Sequence, residues 1–356
     1  MATSIDVLKW QTLTAAINEM KSPNSFLKRL LFSSEITLPT EDIELSTITK
    51  DREIAPFVRK NGEGVMVGGH SEKFSTVAAP NIRIKKPFTP SELLFNRRPG
   101  TVIFSTGADM QVSAAQAHIA RDMKVMADMI TNAEEYLCAM AIQGTISYSV
   151  ADAEVFTITF PKPAACNITL SVFWDDATPA NVRILANIHT AKQVFSDQTG
   201  LQPTDAICGL EAANQLRSLA ESGVLKWTVS NMGQISAGDI TFIEQFSDDG
   251  VIYLGTIGNV RFWEYGRTAS LNGVATSMIR SKYVEFVSRS AASERVMYYG
   301  AIADMKTFSG RKFQSKRFSK SWEVEDPSAM MALAASRPLP VTRRPGAHVS
   351  MKVISG

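Results

Sequence analysis

The longest helical pattern in the sequence covers residues 113–144 and predicts one long helix. Ser113 and Gln116 have the spacing of a capping box, and Gly144 stands where a left-handed residue would end the helix. At 1.5 Å per residue such a helix is roughly 45 Å long, which is longer than a small compact domain is wide. Apolar side chains recur along it at alternating intervals of four and three residues, at Ile119, Met123, Met126, Ile130, Ala133, Leu137 and Met140.

An apolar face on a rod of this length favours a spine helix with a sheet packed against it. The polar residues lie mostly off that face; they are Arg121, Asp122, Lys124, Asp128, Asn132, Glu134 and Glu135. Of these, we expect Arg121, Lys124, Asp128 and Glu135 to face out. The alternative is a coiled coil between subunits, for which about three heptads are present. Strand-like sequence follows Gly144 directly, so the sequence favours the spine.

Composition excludes several classes of protein. The chain has 356 residues, 20% of them charged, and a net charge of +2, so no strongly acidic or basic partner is required overall. The first residues do not resemble a signal peptide, and no apolar run approaches the ~20 residues of a membrane span. The cysteines Cys138, Cys166 and Cys208 are odd in number and widely spaced, which favours apolar fillers in a reducing cytoplasm.

Before the spine, the pattern predicts an arm and an extended hairpin. The arm consists of a short amphipathic helix, the apolar cluster FLKRLLF (26–32), and a hairpin that pairs Ile36 and Leu38 with Ile43 and Leu45. These elements contain too few apolar side chains to form a core of their own. Residues 49–80 hold two weakly apolar, β-prone runs around several glycines. Because a two-stranded hairpin alone is marginal in water, we expect this one to lie on another molecule.

After the spine, the sequence predicts a mixed α/β unit and a closing tail. The predicted elements are a hairpin over 145–160, a strand over 168–174, helices starting at Thr178 and Thr204, short strands over 224–267, a strand over 295–299, and then a strand, a short helix after Pro327 and two last strands.

No motif for catalysis or metal binding stands out. The four histidines lie on separate elements, and no nucleophile or zinc motif occurs, so we expect no cofactor and no metal. Asp175 and Asp176 could hold a hard cation, but acidic residues ahead of a helix usually interact with its dipole. A hydrolase using Asp175, Asp176 or His189 remains an alternative function, and it predicts a stable monomer.

One stretch of the chain is strongly basic. Between residues 280 and 320 basic residues far outnumber acidic ones, and some alternate with Phe313 and Phe318. The functional interpretation is a surface that faces the phosphates of DNA, and the alternative is a solvated loop or contacts to acidic neighbours. The candidate DNA-facing residues are Lys306, Arg311, Lys312, Lys316 and Arg317.

Several of these stretches together resemble one known family. They are FLKRLLF (26–32), ITLPTEDIELSTI (36–48), IAPFV (54–58), APNIRIKKPFTPSELLFNRRPG (79–100), the hairpin TISYSVADAEVFTITF and the tail SWEVEDPSAMMALAASRPLPV (321–341). In this order they resemble the lambda-type major capsid proteins of tailed phages, the protein E family. Residues 179–310 match only in their pattern of elements.

The resemblance implies the α+β Hong Kong-type tailed-phage capsid fold. Its parts would be an N-terminal arm and hairpin (1–48), an extended E-loop (49–84), a peripheral domain (85–178) with the spine helix at 113–143, an axial domain (179–310) and a C-terminal return to the peripheral domain (311–356). Contacts between subunits would then involve the arm and the E-loop, through Phe26, Arg29, Phe57, Arg59, Lys60 and Lys73.

The resemblance also implies a function without catalysis. Copies would form hexamers and pentamers of an icosahedral head shell around double-stranded DNA, assembled in the bacterial cytoplasm and found in the virion capsid. Implied partners are a scaffolding protein, a portal at one vertex and, in some relatives, a decoration protein, with no membrane. An encapsulin-type compartment shell is the alternative with the same fold.

Overall fold

The computed structural model describes residues 10–19, 25–49, 71–89, 108–149, 155–178, 181–221, 245–246, 250–271, 274–304, 315–326 and 328–356. The helices within them are α1 (Trp10–Glu19), α2 (Phe26–Leu31), α3 (Ala108–Gln143), α4 (Ile184–Thr199) and α5 (Leu210–Glu221). The strands are β1 (Ser34–Thr37), β2 (Asp42–Thr49), β3 (Ser71–Ala78), β4 (Ile82–Phe88), β5 (Thr145–Ser149), β6 (Val155–Thr159), β7 (Asn167–Thr169), β8 (Asp205–Cys208), β9 (Gln245–Phe246), β10 (Ile252–Ile257), β11 (Val260–Glu264), β12 (Thr268–Leu271), β13 (Val274–Ser277), β14 (Tyr283–Val287), β15 (Arg295–Tyr299), β16 (Phe318–Val324), β17 (Ala329–Ser336), β18 (Pro338–Thr342) and β19 (His348–Lys352).

Helix α3 is the predicted spine. Its 36 residues make it roughly 54 Å long. Gly144 follows it with a φ of +93°, which confirms the predicted left-handed end. The predicted start is wrong, because the helix begins five residues before Ser113. A cap contributes only about 1 kcal/mol, so a capping pattern does not stop a helix whose preceding residues can also be helical.

The spine packs against a three-stranded antiparallel sheet of order β16–β17–β4. Met123, Met126 and Ile130 are buried against this sheet and against α1, as the apolar spacing predicts. Helix α1 adds Leu13 and Ile17 to the same cluster. The short helix predicted after Pro327 is wrong: those residues form β17, because β4 and β16 supply hydrogen-bonding partners on both of its edges.

A second core surrounds a seven-stranded sheet of order β7–β19–β14–β8–β11–β10–β9. Helices α4 and α5 cover one face, where Phe195 and Leu216 pack against Phe262 and Phe286. The end of the spine and α2 lie towards the other face. The helix starts predicted at Thr178 and Thr204 are wrong, because α4 begins at Ile184 and a buried strand, β8, precedes α5. The strand predicted over 168–174 is limited to β7.

Strands near the N-terminus pair with distant partners. The hairpin predicted between β1 and β2 is wrong: β1 pairs in parallel with β15, which in turn pairs with β18. Strand β2 pairs with β3 in an antiparallel ribbon, from Asp42 opposite Ala78 to Thr49 opposite Ser71. The hairpin predicted after the spine is confirmed as β5 and β6.

Candidate assembly surfaces

A buried carboxylate on the spine holds the start of α2. The Glu135 carboxylate accepts hydrogen bonds from the backbone N–H groups of Leu27 (2.7 Å) and Lys28 (3.0 Å), and from the hydroxyl of Tyr265 (2.9 Å). Burial raises the pKa of Glu135, and the three hydrogen bonds offset part of that rise. The carboxylate thus satisfies backbone donors that a helix N-terminus otherwise leaves without partners.

The neighbouring carboxylate, Glu134, joins the arm to the tail. It accepts a hydrogen bond from Lys28 Nζ (2.7 Å) and lies 3.4 Å from Arg317 Nη2. Arg317 Nη2 also donates to Thr131 Oγ1 (2.8 Å). Burial alone would lower the pKa of Lys28, but Glu134 and the hydroxyl of Tyr299 beside it raise the pKa instead. Four distant parts of the sequence therefore meet at one buried cluster.

These contacts correct the prediction for Glu134 and Glu135. Glu135 was expected to face out and Glu134 to lie off the apolar face, yet Glu134 is 0% and Glu135 is 1% exposed. Asp122 is also buried, where it binds Lys86 (2.8 Å) and lies 3.1 Å from His118. Arg121 and Lys124 are exposed as expected, because they lie off the face of the spine that packs against the sheet.

Arg317 was predicted to face DNA, and the structure places it inside the subunit. Arg317 is 7% exposed, and its guanidinium donates hydrogen bonds to Glu134 and Thr131. Lys316, the preceding residue, has a side chain that is 51% exposed and pairs with Glu35. Glu35 also accepts an ion pair from Lys28 (3.0 Å). Two of the five candidate DNA-facing residues, Lys316 and Arg317, lie in the described part of the chain, and of these two Lys316 is at the surface.

Phe26 was predicted to contact a neighbouring subunit, and the structure places it in the subunit's own core. It is 4% exposed, and its ring centroid lies 5.1 Å from that of Trp263 and 6.3 Å from that of Tyr265. The residue starts an amphipathic helix, so its side chain turns inward. Arg29, on the same helix, is exposed.

For the other predicted site residues, no side-chain position is described. Lys73 lies on β3, and only its backbone is described. The rest lie outside the described residues; they are Phe57, Arg59, Lys60, Lys306, Arg311 and Lys312.

The ribbon of β2 and β3 contacts the core of the subunit at its base. It has eight register pairs, and within the described residues no third strand joins it. At the base, Ile43 is fully buried, and its partner Val77 packs on the same apolar cluster. No strand of the described part of the chain therefore occupies either edge of this ribbon.

Two of the residues named for the alternative function as a hydrolase, Asp175 and Asp176, form hydrogen bonds within the subunit. Asp175 accepts hydrogen bonds from the backbone N–H (3.1 Å) and hydroxyl (2.5 Å) of Ser355, and Asp176 accepts one from the N–H of Thr178 (2.8 Å). His189 is exposed on α4. The described residues contain no group of His, Cys, Asp and Glu side chains that could hold a metal ion. None of the described helices is long and apolar enough to cross a membrane.

The cysteines behave as the sequence predicts. Cys138, Cys166 and Cys208 are all buried and unpaired. Burial raises the pKa of each thiol.

Sequence analysis missed the role of Glu134 and Glu135. A signal was present, since Glu134 stands four residues after Ile130 and so lies at the edge of the apolar face. Its counterpart is Lys28 inside the apolar cluster FLKRLLF. A cation and an anion that each interrupt an apolar segment are candidates for a buried pair, because a charge there needs a partner.

Comparisons with known proteins match nearly the whole chain. A family model described as phage major capsid protein E matches residues 9–353. No curated protein matches the chain. Among solved structures, the chain is similar to a protein assigned as the capsid protein of an E. coli CFT073 prophage, with 17% identity, a TM-score of 0.69, and coverage of 98% of this chain and 99% of that chain.

Two further structures are similar over nearly their whole length. A phage-related protein from Bordetella bronchiseptica RB50 has 12% identity, a TM-score of 0.52 and 97% coverage of each chain. The capsid asymmetric unit of cyanophage A-1(L) has 10% identity, a TM-score of 0.52 and 95% coverage of each chain. The expected α+β Hong Kong-type tailed-phage capsid fold is confirmed.

Proposed function

This chain belongs to the phage major capsid protein E family, and from that premise we propose how its copies build a shell. As a major capsid protein, it is a structural protein of the virion, where its copies associate into the shell of the phage head. We propose that they form hexamers and pentamers that close into an icosahedral shell around double-stranded DNA. An encapsulin-type shell is not retained, because the matched family is a phage capsid family.

The observation that carries this proposal is the ribbon of β2 and β3. A two-stranded ribbon is marginal in water, and in the described part of this one Ile43 and Val77 at its base pack on the apolar core of the subunit. Its stability must come from a surface outside its own core. A neighbouring copy supplies such a surface, and a head-to-tail contact of this kind closes into rings.

The candidate contacts between subunits follow from this arrangement. Arg29 on α2, Lys73 on β3, and Phe57, Arg59 and Lys60 between the strands of the ribbon remain proposed contacts. Phe26 is removed from the set because it is buried in its own subunit.

We also propose how the chain divides into domains and which partners it has. The division is arm and hairpin (1–48), E-loop (49–84), peripheral domain (85–178), axial domain (179–310) and C-terminal return (311–356), with β19 contributing to the axial sheet. The proposed partners are a scaffolding protein during assembly in the host cytoplasm, a portal at one vertex, a decoration protein, and the packaged DNA, bound without sequence preference. This role requires no catalysis.

Deleting residues 60–70 tests the proposal. We expect a soluble subunit with an unchanged unfolding midpoint that makes no closed shells, because the ribbon would no longer reach its neighbour. Negative-stain electron microscopy measures the shells, and denaturant unfolding measures the subunit. A control that replaces the same residues with a glycine–serine segment of equal length separates reach from side-chain chemistry. Normal shells from the deletion would overturn the proposal.

A further inference from the structure

The sheet of β16, β17 and β4 carries opposite charges at its two ends. Arg83 near the start of β4 and Lys85 at its middle lie opposite Ala335 and Leu333 of β17. We call these two residues the basic end. Both side chains are exposed.

The other end is acidic. Glu323 lies opposite Met330, and Glu325 and Asp326 follow in the turn that leads to β17. We call these three exposed residues the acidic end. Five residue steps along β17 separate Ala335 from Met330, which corresponds to roughly 17 Å at the rise of an antiparallel strand.

The remaining charges around the sheet are neutralised inside the subunit. Lys86 pairs with Asp122 (2.8 Å) on the spine, and Lys320 pairs with Asp304. In the part of the chain that the structure describes, no side chain of the basic or the acidic end has an ion-pair partner. Within the described residues, both ends therefore keep a charge that no ion pair neutralises.

The subunit holds the two ends at a fixed separation. Ile82 and Ile84 of β4 pack against the spine cluster, together with Ala332 and Ala334 of β17. Arg83 and Lys85 alternate with these isoleucines and so point away from the spine. On α1, the hydroxyl of Thr14 donates a hydrogen bond to the backbone carbonyl of Ser319 on β16 (2.9 Å) and accepts one from the backbone N–H of the same residue (3.1 Å).

We propose that the acidic end of this sheet in one copy contacts the basic end of the sheet in the next copy of the chain. Two different, complementary surfaces on one subunit produce a head-to-tail contact, which repeats from copy to copy. Opposite charge fixes the partner and its orientation. The inference rests on the proposed function, since it needs a chain that assembles with itself. A DNA-facing sheet is disfavoured, because its three carboxylates would repel phosphate.

Charge reversal at each end tests the contact. The first variant combines Arg83→Glu with Lys85→Glu, and the second combines Glu323→Lys with Glu325→Lys. Each alone brings like charges together at every contact, so at low ionic strength the protein concentration needed for shells should rise about tenfold or more. Added salt should reduce that difference by screening. Light scattering and negative-stain microscopy measure assembly.

Mixing the two variants in equal amounts should restore assembly in part, because alternating copies again bring opposite charges together, while a ring with an odd number of copies keeps one contact between like charges. The variant with all four changes should assemble on its own for the same reason. A control with Arg121→Glu and Lys124→Glu, on the exposed face of the spine, changes net charge equally and should assemble like the unmodified chain. If a reversal lowers the unfolding midpoint of the subunit, Gln at the same positions replaces it, with a smaller effect expected in the same direction.

Several outcomes would overturn the inference: normal assembly of both single-end variants, failure of the mixture and of the fourfold variant to recover, or equal impairment of the spine control. Normal shells of the first variant that lose DNA would instead assign the basic end to DNA. If the unmodified chain makes no shells at all, the proposed function fails rather than this contact.

Discussion

Arg317 holds the tail of the chain against the spine through a buried ion pair. Its guanidinium reaches both Thr131 and Glu134, and the Glu134 carboxylate is fully buried. A buried carboxylate that loses a cation becomes costly, because its remaining partners must compensate for the lost solvation. Here Lys28 remains as the second cation of Glu134.

We expect Arg317→Ala to lower the free energy of unfolding of the unassembled subunit by about 3 kcal/mol, the lower end of the range for breaking a buried pair. Lys316→Ala is the matched control. Its side chain is half exposed, so about 0–1 kcal/mol is expected. Denaturant unfolding of both variants measures the difference. Equal losses for the two residues would contradict a buried role for Arg317.

At the residue scale, the sequence predicts charge but not burial. Arg317 and Lys316 are adjacent and were placed together in one basic stretch, yet only Arg317 turns into the core. The partners that decide this, Thr131 and Glu134, are more than 180 residues away in the sequence. No local pattern contains that information.

At the scale of one element, the spine was the most predictable part of the fold. Its apolar spacing placed Met123, Met126 and Ile130 in the core, and Gly144 marked its end. In contrast, β17 was predicted as a helix because its alanines and methionines favour one. Hydrogen bonds from strands on both edges outweigh that preference, and those strands come from distant parts of the chain.

Truncating Ile130 tests the packing of the spine. Ile130→Ala should lower the free energy of unfolding of the unassembled subunit by roughly 2–5 kcal/mol, because the residue is fully buried. Val125→Ala is the matched control on the same helix. Val125 is 51% exposed, so a change within about 0.5 kcal/mol is expected. Unchanged stability for Ile130→Ala, with failed association, would instead indicate a helix between subunits.

At the scale of the whole molecule, the sequence predicts the kinds of element better than their partners. The predicted hairpin of β1 and β2 fails because β1 joins β15, more than 250 residues later. The residue pattern predicts an arm, an extended hairpin, a spine and a mixed α/β unit, and the family resemblance adds their assignment to domains. The basic and acidic ends of the peripheral sheet become visible only once the register of three distant strands is known.

Shells should hold DNA through the candidate DNA-facing residues other than Arg317. We expect Gln at Lys306, Arg311, Lys312 and Lys316 to permit empty shells but to lower DNA retention, because fewer cations then offset phosphate repulsion. Arg317 is left unchanged because it is buried. Nuclease-protected DNA per particle, measured over a range of salt, gives the result. Unchanged retention at low salt would rule out this role, and the yield of empty shells is the control.

The position of β19 in the seven-stranded sheet has a consequence for synthesis. Residues 348–352 form an inner strand, hydrogen-bonded to β7 on one side and to β14 on the other. A ribosome makes these residues after all the other strands, and chains fold from the N-terminal side as they emerge. Until then the sheet has a gap where β19 belongs. We therefore expect a nascent chain to complete this sheet only after residues 348–352 have emerged, so that fragments released earlier lack an inner strand.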